Sequence, residues 1–262
     1  TFNAVRFFVG FLAIIPIAYL FEAKKIKSEF RLDKKTFFIL SFLIGLSLFL
    51  GSALQQVALL YTDVANAAFF TIFYVPMVPI IIFIFNRKSI HWSVWPSVFL
   101  CVIGGYLLTN FQDATVRLGD TLVLLGALFW STHIIFTGIM VTKYNLPLTV
   151  GATQTLIVSL FSFIIGSIYE EFIFKNILNE IYSILYAGIL SGGIAFVLQI
   201  YAQRNITPAP AAIIFSLEGV FATIAAWFLL NQILNINNLL GCFFILCGVL
   251  LSQLLPLIKK KA

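Results

Sequence analysis

Glu218 stands inside an apolar run, Ile206 to Leu230, long enough to cross a membrane. A carboxylate at bilayer depth costs about 2.5–3.5 kcal/mol on insertion scales, so such a group faces a bundle interior or a watery cavity. There it can carry a proton from one face to the other or pair with the amine of a substrate; its other use is a hydrogen-bonded helix–helix contact. Arg6 lies early in the first apolar run, where it either snorkels to headgroups or attracts a carboxylate. His133 falls mid-run, with a side chain that titrates near neutrality and also serves as an interhelical partner. Gln55, Gln199 and Tyr74 are polar groups within or at the ends of apolar runs, where they line a pathway or act as interhelical glue worth about 0.6 kcal/mol each. Trp130 and Tyr201 offer aromatic walls for stacking or cation–π contact, against the usual place of Trp and Tyr at membrane interfaces.

The elements that must position these groups follow from composition. The 262 residues are 61% hydrophobic and only 10% charged, with a mean hydropathy of +1.05; a soluble domain carries about 25% charged residues. This is the profile of a polytopic membrane protein. The net charge of +6 resides in short segments between apolar runs, so no nucleic-acid partner is expected. Cys101, Cys242 and Cys247 all lie inside apolar runs, which reads as packing and not as a disulfide framework. No metal or cofactor motif is visible. The chain opens at Thr1-Phe2-Asn3, almost inside a span and without an initiator methionine, from which we expect a preceding piece.

A membrane span takes about 20 apolar residues, and nine segments qualify: 2–21, 37–60, 64–85, 91–110, 119–141, 148–168, 181–203, 206–230 and 236–256. Continuous runs without two-residue alternation predict helices, giving an all-α fold. Basic residues accumulate on the cytoplasmic side. Setting 22–36, 86–90, 142–147, 203–207 and the C-terminus inside collects 13 of the 16 lysines and arginines, among them Arg87, Lys88 and Lys259 to Lys261, while Asp63, Asp113 and Asp120 fall outside. The first residue is then outside and the last cytoplasmic.

An offset of 144 positions aligns Gln55 with Gln199, Ala65 with Ala209, Ala67-Ala68 with Ala211-Ala212, Gly104 with Gly248 and Leu107 with Leu251; Arg6 matches Gln154 at a slightly different offset. We therefore expect two repeats, residues 1–112 and 113–262. The second holds five spans and the first four, and a fifth would restore the match. Five is odd, so tandem units enter from opposite sides, the inverted-topology repeat of many secondary transporters. Pro76, Pro79, Pro208 and Pro210 are positioned to interrupt their spans.

Three segments carry a resemblance to the EamA-type members of the drug/metabolite transporter superfamily: Gly119-Asp120 with Gly126-Ala127-Leu128-Phe129-Trp130; Pro208 to Ala212 through Ser216-Leu217-Glu218; and Leu239-Leu240-Gly241 with Leu246 to Leu250. Their first-half counterparts are Ala67-Ala68 with Tyr74-Val75-Pro76, and Val102 to Gly105. The resemblance implies ten helices in two inverted five-helix repeats around a central cavity, and export of small metabolites such as amino acids, related compounds or drugs. Gly219 stands where the family pattern has proline, and Asn231 where it has a glutamate.

A secondary active transporter is thus the leading expectation: alternating access, a small-molecule substrate, the lipid bilayer as partner and protons as a coupling ion. A passive facilitator would use the same helices without a change of protonation. An intramembrane lipid-modifying enzyme needs clustered acids or a nucleophile–base pair, and the sequence displays neither. No Gly-rich phosphate loop argues for ATP. The Phe-, Ile-, Lys- and Asn-rich composition suits an AT-rich prokaryotic genome, and hence a multi-pass protein of a bacterial inner membrane.

Overall fold

Among the described residues, 1–86, 90–109, 117–231 and 233–258 of the computed structural model, every regular element is helical. Arg87, Lys88, Asp113 and Lys259 to Lys261, which helped to orient the chain, lie outside them. Helices are what these runs must form, because a spanning segment has to satisfy its backbone polar groups internally. In chain order they are α1 (Phe2–Leu32), α2 (Lys34–Ala58), α3 (Val64–Thr71), α4 (Tyr74–Asn86), α5 (Val94–Leu108), α6 (Leu118–Tyr144), α7 (Pro147–Tyr169), α8 (Phe174–Asn179), α9 (Ile181–Leu185), a π-helical segment (Tyr186–Ala195), α10 (Phe196–Ala202), α11 (Pro208–Phe215), α12 (Leu217–Leu230) and α13 (Ile236–Ile258). Eight spans are long and apolar enough to cross a membrane, and α5 is a shorter apolar helix. It corresponds to the expected 91–110 segment. Each of the nine expected runs is helical, though three of them are not single uniform α-helices.

The chain forms two compact units, one of residues 1–53 and 135–206, the other of 54–134 and 207–262. Each draws on both halves of the sequence, so spatial grouping and the expected repeats at 1–112 and 113–262 divide the chain differently.

In the first unit α1 lies along α7. Ser159 Oγ donates to Ala4 O at 2.9 Å, Gly151 meets Ile14, and Leu148 N–H donates to Glu22 at 3.0 Å. Partner numbers fall as α1 advances, so the two helices run antiparallel. At the Gly10/Gly188 crossing a methyl group on Gly188 would stand 2.6 Å from Arg6 O, and one on Gly10 would stand 2.9 Å from Gly188 O. Only glycine lets α1 and the π-helical segment approach this closely.

Glu22 does a job in this unit that its sequence position does not announce. The residue before Pro147 is Leu146, which has no side-chain oxygen to cap α7. Glu22, buried within α1, takes over by accepting the N–H groups of Leu148 (3.0 Å) and Thr149 (2.8 Å) and the Thr149 hydroxyl (2.6 Å). The positive end of the helix dipole adds to the attraction. Beside it Lys25 Nζ donates to Asn145 O at 3.0 Å, and Lys143 pairs with Asp33 at 2.7 Å. Leu146 is wholly buried with Phe37, Ile44, Met140 and Ile200 beneath this polar lid.

In the second unit α5 packs along α13. A methyl group on Gly104 would lie 2.7 Å from both Gly241 O and Ile245 Cγ1, and one on Gly248 would lie 2.8 Å from both Ser97 O and Cys101 Sγ. Adding 144 to 97, 101 and 104 gives 241, 245 and 248, so one set of contacts maps onto the other with the partners exchanged. Such reciprocity is the signature of a two-fold relation between contacting surfaces. Here too partner numbers fall as α5 advances, and Asn238 Nδ2 donates to Leu108 O at 3.2 Å; the pair is antiparallel.

Candidate functional site

Two spans of the second unit are broken, and the breaks correspond. α3 covers Val64–Thr71 and α11 covers Pro208–Phe215; an offset of 144 superposes their first and last residues. The first break has a proline cause. Pro76 has no N–H and its ring clashes with the carbonyl four residues back, that of Ile72, which is where α3 ends and the chain turns before Tyr74. Pro79 is accommodated inside α4, and Pro208 and Pro210 belong to the first turn of α11. The second break, at Ser216, has no proline behind it. Ser216 Oγ instead donates back to Ile213 O at 2.6 Å, a local bond that competes with the helical ladder, and Gly219 N–H closes a tighter turn onto Ser216 O at 3.2 Å.

Residues 74 and 218 therefore hold equivalent places in the first turn after each break. Tyr74 is buried. The Glu218 side chain is exposed in the helix assembly, whereas Ser216 and Val220 on either side of it are buried. Ser216 Oγ stands 3.4 Å from Cys101 Sγ. Glu218 is also the acid of the α12 first turn, where unpaired N–H groups favour negative charge.

α6 adds the aromatic members. Ser131 Oγ donates to Ala127 O at 2.7 Å and stands 3.3 Å from Tyr74 O, so α6 touches α4 at the break. One residue before it is Trp130, whose ring meets the edge of the fully buried His133 at 6.1 Å and 88°. Phe69, Phe70 and Phe73 form edge and stacked contacts next to Tyr74, and Phe69 reaches Tyr106 at 5.7 Å. Gln55 is spoken for: its Nε2 donates to Thr71 Oγ1 at 3.1 Å, and Thr71 donates on to Ala67 O.

The other expected site residues belong to the first unit. Arg6 has its guanidinium carbon 4.8 Å from the Phe7 ring and 5.5 Å from that of Phe2, and its Nε is buried without a hydrogen-bond partner. Gln199 is half-buried in α10. Tyr201 is exposed and covered by Arg204 at 4.8 Å, the surroundings of a surface residue. A cavity of about 300 Å³ in this unit is lined by Thr1, Ala4, Ser162, Phe163, Gly166, Ser167 and Phe172, none of them an expected site residue. Sequence reasoning did not single out Ser216 as the site of the second break; the signal was its correspondence with Ile72 under the 144-residue offset, while Cys101, expected to pack, is buried beside Gly248. Among the described residues no group of three metal-ligating side chains occurs.

Residues 117–254 match the model of the EamA-like transporter family. The chain belongs to this family. It is thereby an EamA-type member of the drug/metabolite transporter superfamily, a multi-pass membrane transporter whose substrate is a small molecule. An "Uncharacterized transporter" of Archaeoglobus fulgidus is 29% identical to this EamA protein over 259 residues, covering 97% of this chain and 76% of its own. The "Uncharacterized transporter YoaV" of Bacillus subtilis is 23% identical over 265 residues, covering 96% and 86%. A solved crystal structure superposes with a TM-score of 0.80 at 14% identity, over 97% of this chain and 86% of the other, and shares the EamA protein's fold.

Proposed function

We propose that this protein is a secondary active exporter of small metabolites, working by alternating access between two inverted repeats, with Glu218 binding the coupling proton or the substrate. The observation that carries this reading is the matched pair of broken helices with Tyr74 and Glu218 at equivalent positions. Transporters build substrate and ion sites from discontinuous helices near the bilayer midplane, at the interface of their repeats. The reciprocal, antiparallel packing of α5 on α13 and the antiparallel run of α1 along α7 support the inverted relation, since helices of two oppositely inserted units must run in opposite senses. The exposed side of Glu218 is read as a watery recess, because lipid tails would charge the carboxylate a heavy desolvation penalty. Trp130, Tyr74, Gln55, His133, Gln199, Arg6 and Tyr201 complete the proposed set, with Gln55 and Tyr201 its weakest members on account of their present contacts.

The orientation proposed is the first residue outside and the last cytoplasmic, with export as the direction. Bacterial inner membrane is the proposed location, on composition; the relatives include both bacterial and archaeal proteins. Glu218→Gln keeps size and one hydrogen-bonding oxygen but cannot cycle a proton. In cells or proteoliposomes it is expected to abolish gradient-driven efflux of the substrate found by comparing the medium of expressing and empty-vector cells, while membrane insertion stays normal. Undiminished active efflux by this variant would take Glu218 out of the mechanism and favour the passive facilitator.

A further inference from the structure

Resting on the transport reading, we infer that Tyr186–Ala195 is a hinge that lets the span Ile181–Ala202 bend between its α9 and α10 halves. The ladder of backbone hydrogen bonds changes along this span. Tyr186 N–H still reaches Tyr182 O, four residues back, whereas Phe196 N–H reaches Ser191 O, five back. Steps of five are rare, occur mostly as single turns and gather at functional sites; here they extend over a segment of 10 residues.

The glycines of the segment fall into two kinds. Gly188 is required by packing, because a methyl group there would stand 2.6 Å from Arg6 O. Gly192 and Gly193 are buried as well, yet a methyl group on either meets nothing nearer than 3.4 Å, Ala187 O in one case and Gly188 O in the other. That is ordinary van der Waals contact, so alanine fits at both positions. Glycine destabilises a helix interior relative to alanine, and packing at these two positions does not call for it. What glycine supplies there is backbone freedom. The first half of the chain makes the opposite choice. Subtracting 144 from 188, 192 and 193 gives Ile44, Leu48 and Phe49, all three buried in the uninterrupted α2. Of two corresponding spans, one is filled with large side chains and the other is left free to flex.

The surroundings permit the bend. Tyr186, Ile189, Leu190 and Ile194 are exposed, so the outward face of the segment is not interlocked with a neighbour. The α10 half is anchored: Val197 meets Gly151 of α7, and Ile200 is wholly buried with Phe37, Ile44 and Met140. In α9 the one buried residue is Ile184. The α9 half is therefore the part that swings.

The test compares wild type with two variants in lipid nanodiscs, by hydrogen–deuterium exchange and by thermal unfolding. Wild-type amides of 186–195 are expected to exchange faster than those of α2. Gly192→Ala combined with Gly193→Ala should slow that exchange at least about fivefold without lowering the unfolding temperature, since alanine favours the α-helical ladder. Gly188→Ala is the control, and its clash with Arg6 O should lower the unfolding temperature. Exchange in 186–195 as slow as in α2, exchange unmoved by the alanine pair, or a lower unfolding temperature for that pair would each overturn the hinge. In the comparison of media, the alanine pair is expected to slow accumulation of the compound that marks wild-type cells at least about threefold at equal membrane protein, because such conformational steps limit turnover. Equal accumulation would remove the hinge from the transport cycle. Wild-type cells that release no such compound would defeat the export reading, and the hinge itself is then decided by exchange.

Discussion

At the scale of single residues, Tyr74 and Glu218 show how one fold position can be given two chemistries. Both follow a helix break at matching positions, and one is a phenol where the other is a carboxylic acid. Trp130 is expected to report on this site: Trp130→Phe keeps an aromatic face but should weaken substrate affinity several-fold with little loss of maximal flux, measured as a concentration series of transport. An unchanged half-saturation point would assign Trp130 to packing. Outside the spans, Asp33 has a different task. The Lys143 ammonium, then the Thr36 hydroxyl and N–H, hold its carboxyl down at about 2. Its pKa when unfolded is about 3.9, so the folded state is favoured wherever Asp33 is charged in both states, above about pH 4. That contribution fades as the pH falls toward 2. Wild type and Asp33→Asn should therefore differ in thermal unfolding at pH 6 and converge near pH 2; a constant gap across that range would exclude the ion pair as its cause.

At the scale of elements, the sequence announced the helices more clearly than their joints. Apolar runs located every span, and the basic residues Lys24, Lys25 and Lys143 marked the end of the first unit where α1 meets the α6–α7 turn. Glu22 could not be recognised as the cap of α7, because its donors, Leu148 and Thr149, are over 120 residues away in the chain. Glu22→Ala leaves these N–H groups without an acceptor and is expected to cost about 1–3 kcal/mol, with Glu22→Gln intermediate; unfolding of purified protein in detergent gives the comparison. The α5–α13 crossing supplies a sharper prediction. Because Gly104 and Gly248 meet corresponding partners, Gly104→Val and Gly248→Val should destabilise by similar amounts, about 1–3 kcal/mol for overpacking. A large effect at one glycine and none at the other would contradict the reciprocity. The helix break at Ser216 was expected near the prolines of α11 and occurs eight residues beyond Pro208, where a serine back-bond and Gly219 replace the proline mechanism that operates at Ile72.

At the scale of the whole molecule, the proposed topology can be checked without knowing the substrate. Cysteines placed at Ser28 and Tyr61, both exposed, should react with a membrane-impermeant thiol reagent from the cytoplasmic and the outer side respectively; the reverse pattern would turn the protein over. The sequence by itself determined that this chain is a helical membrane protein, where its spans run, that it has internal similarity at 144 residues and that it resembles EamA-type transporters. Those properties are written in local hydrophobicity and in short motifs, because the bilayer imposes the same length and polarity on every span. Tertiary structure decided the rest: that Ser131 of α6 reaches the Tyr74 carbonyl at the first break, that Gln55 is bound to Thr71, that Glu22 caps a helix far away in the chain, and that the compact units mix the two halves. These depend on which face of each helix meets which neighbour, and a run of apolar residues that is hydrophobic all round does not specify its own rotation; close glycine contacts and a few buried hydrogen bonds fix it only once the helices are packed.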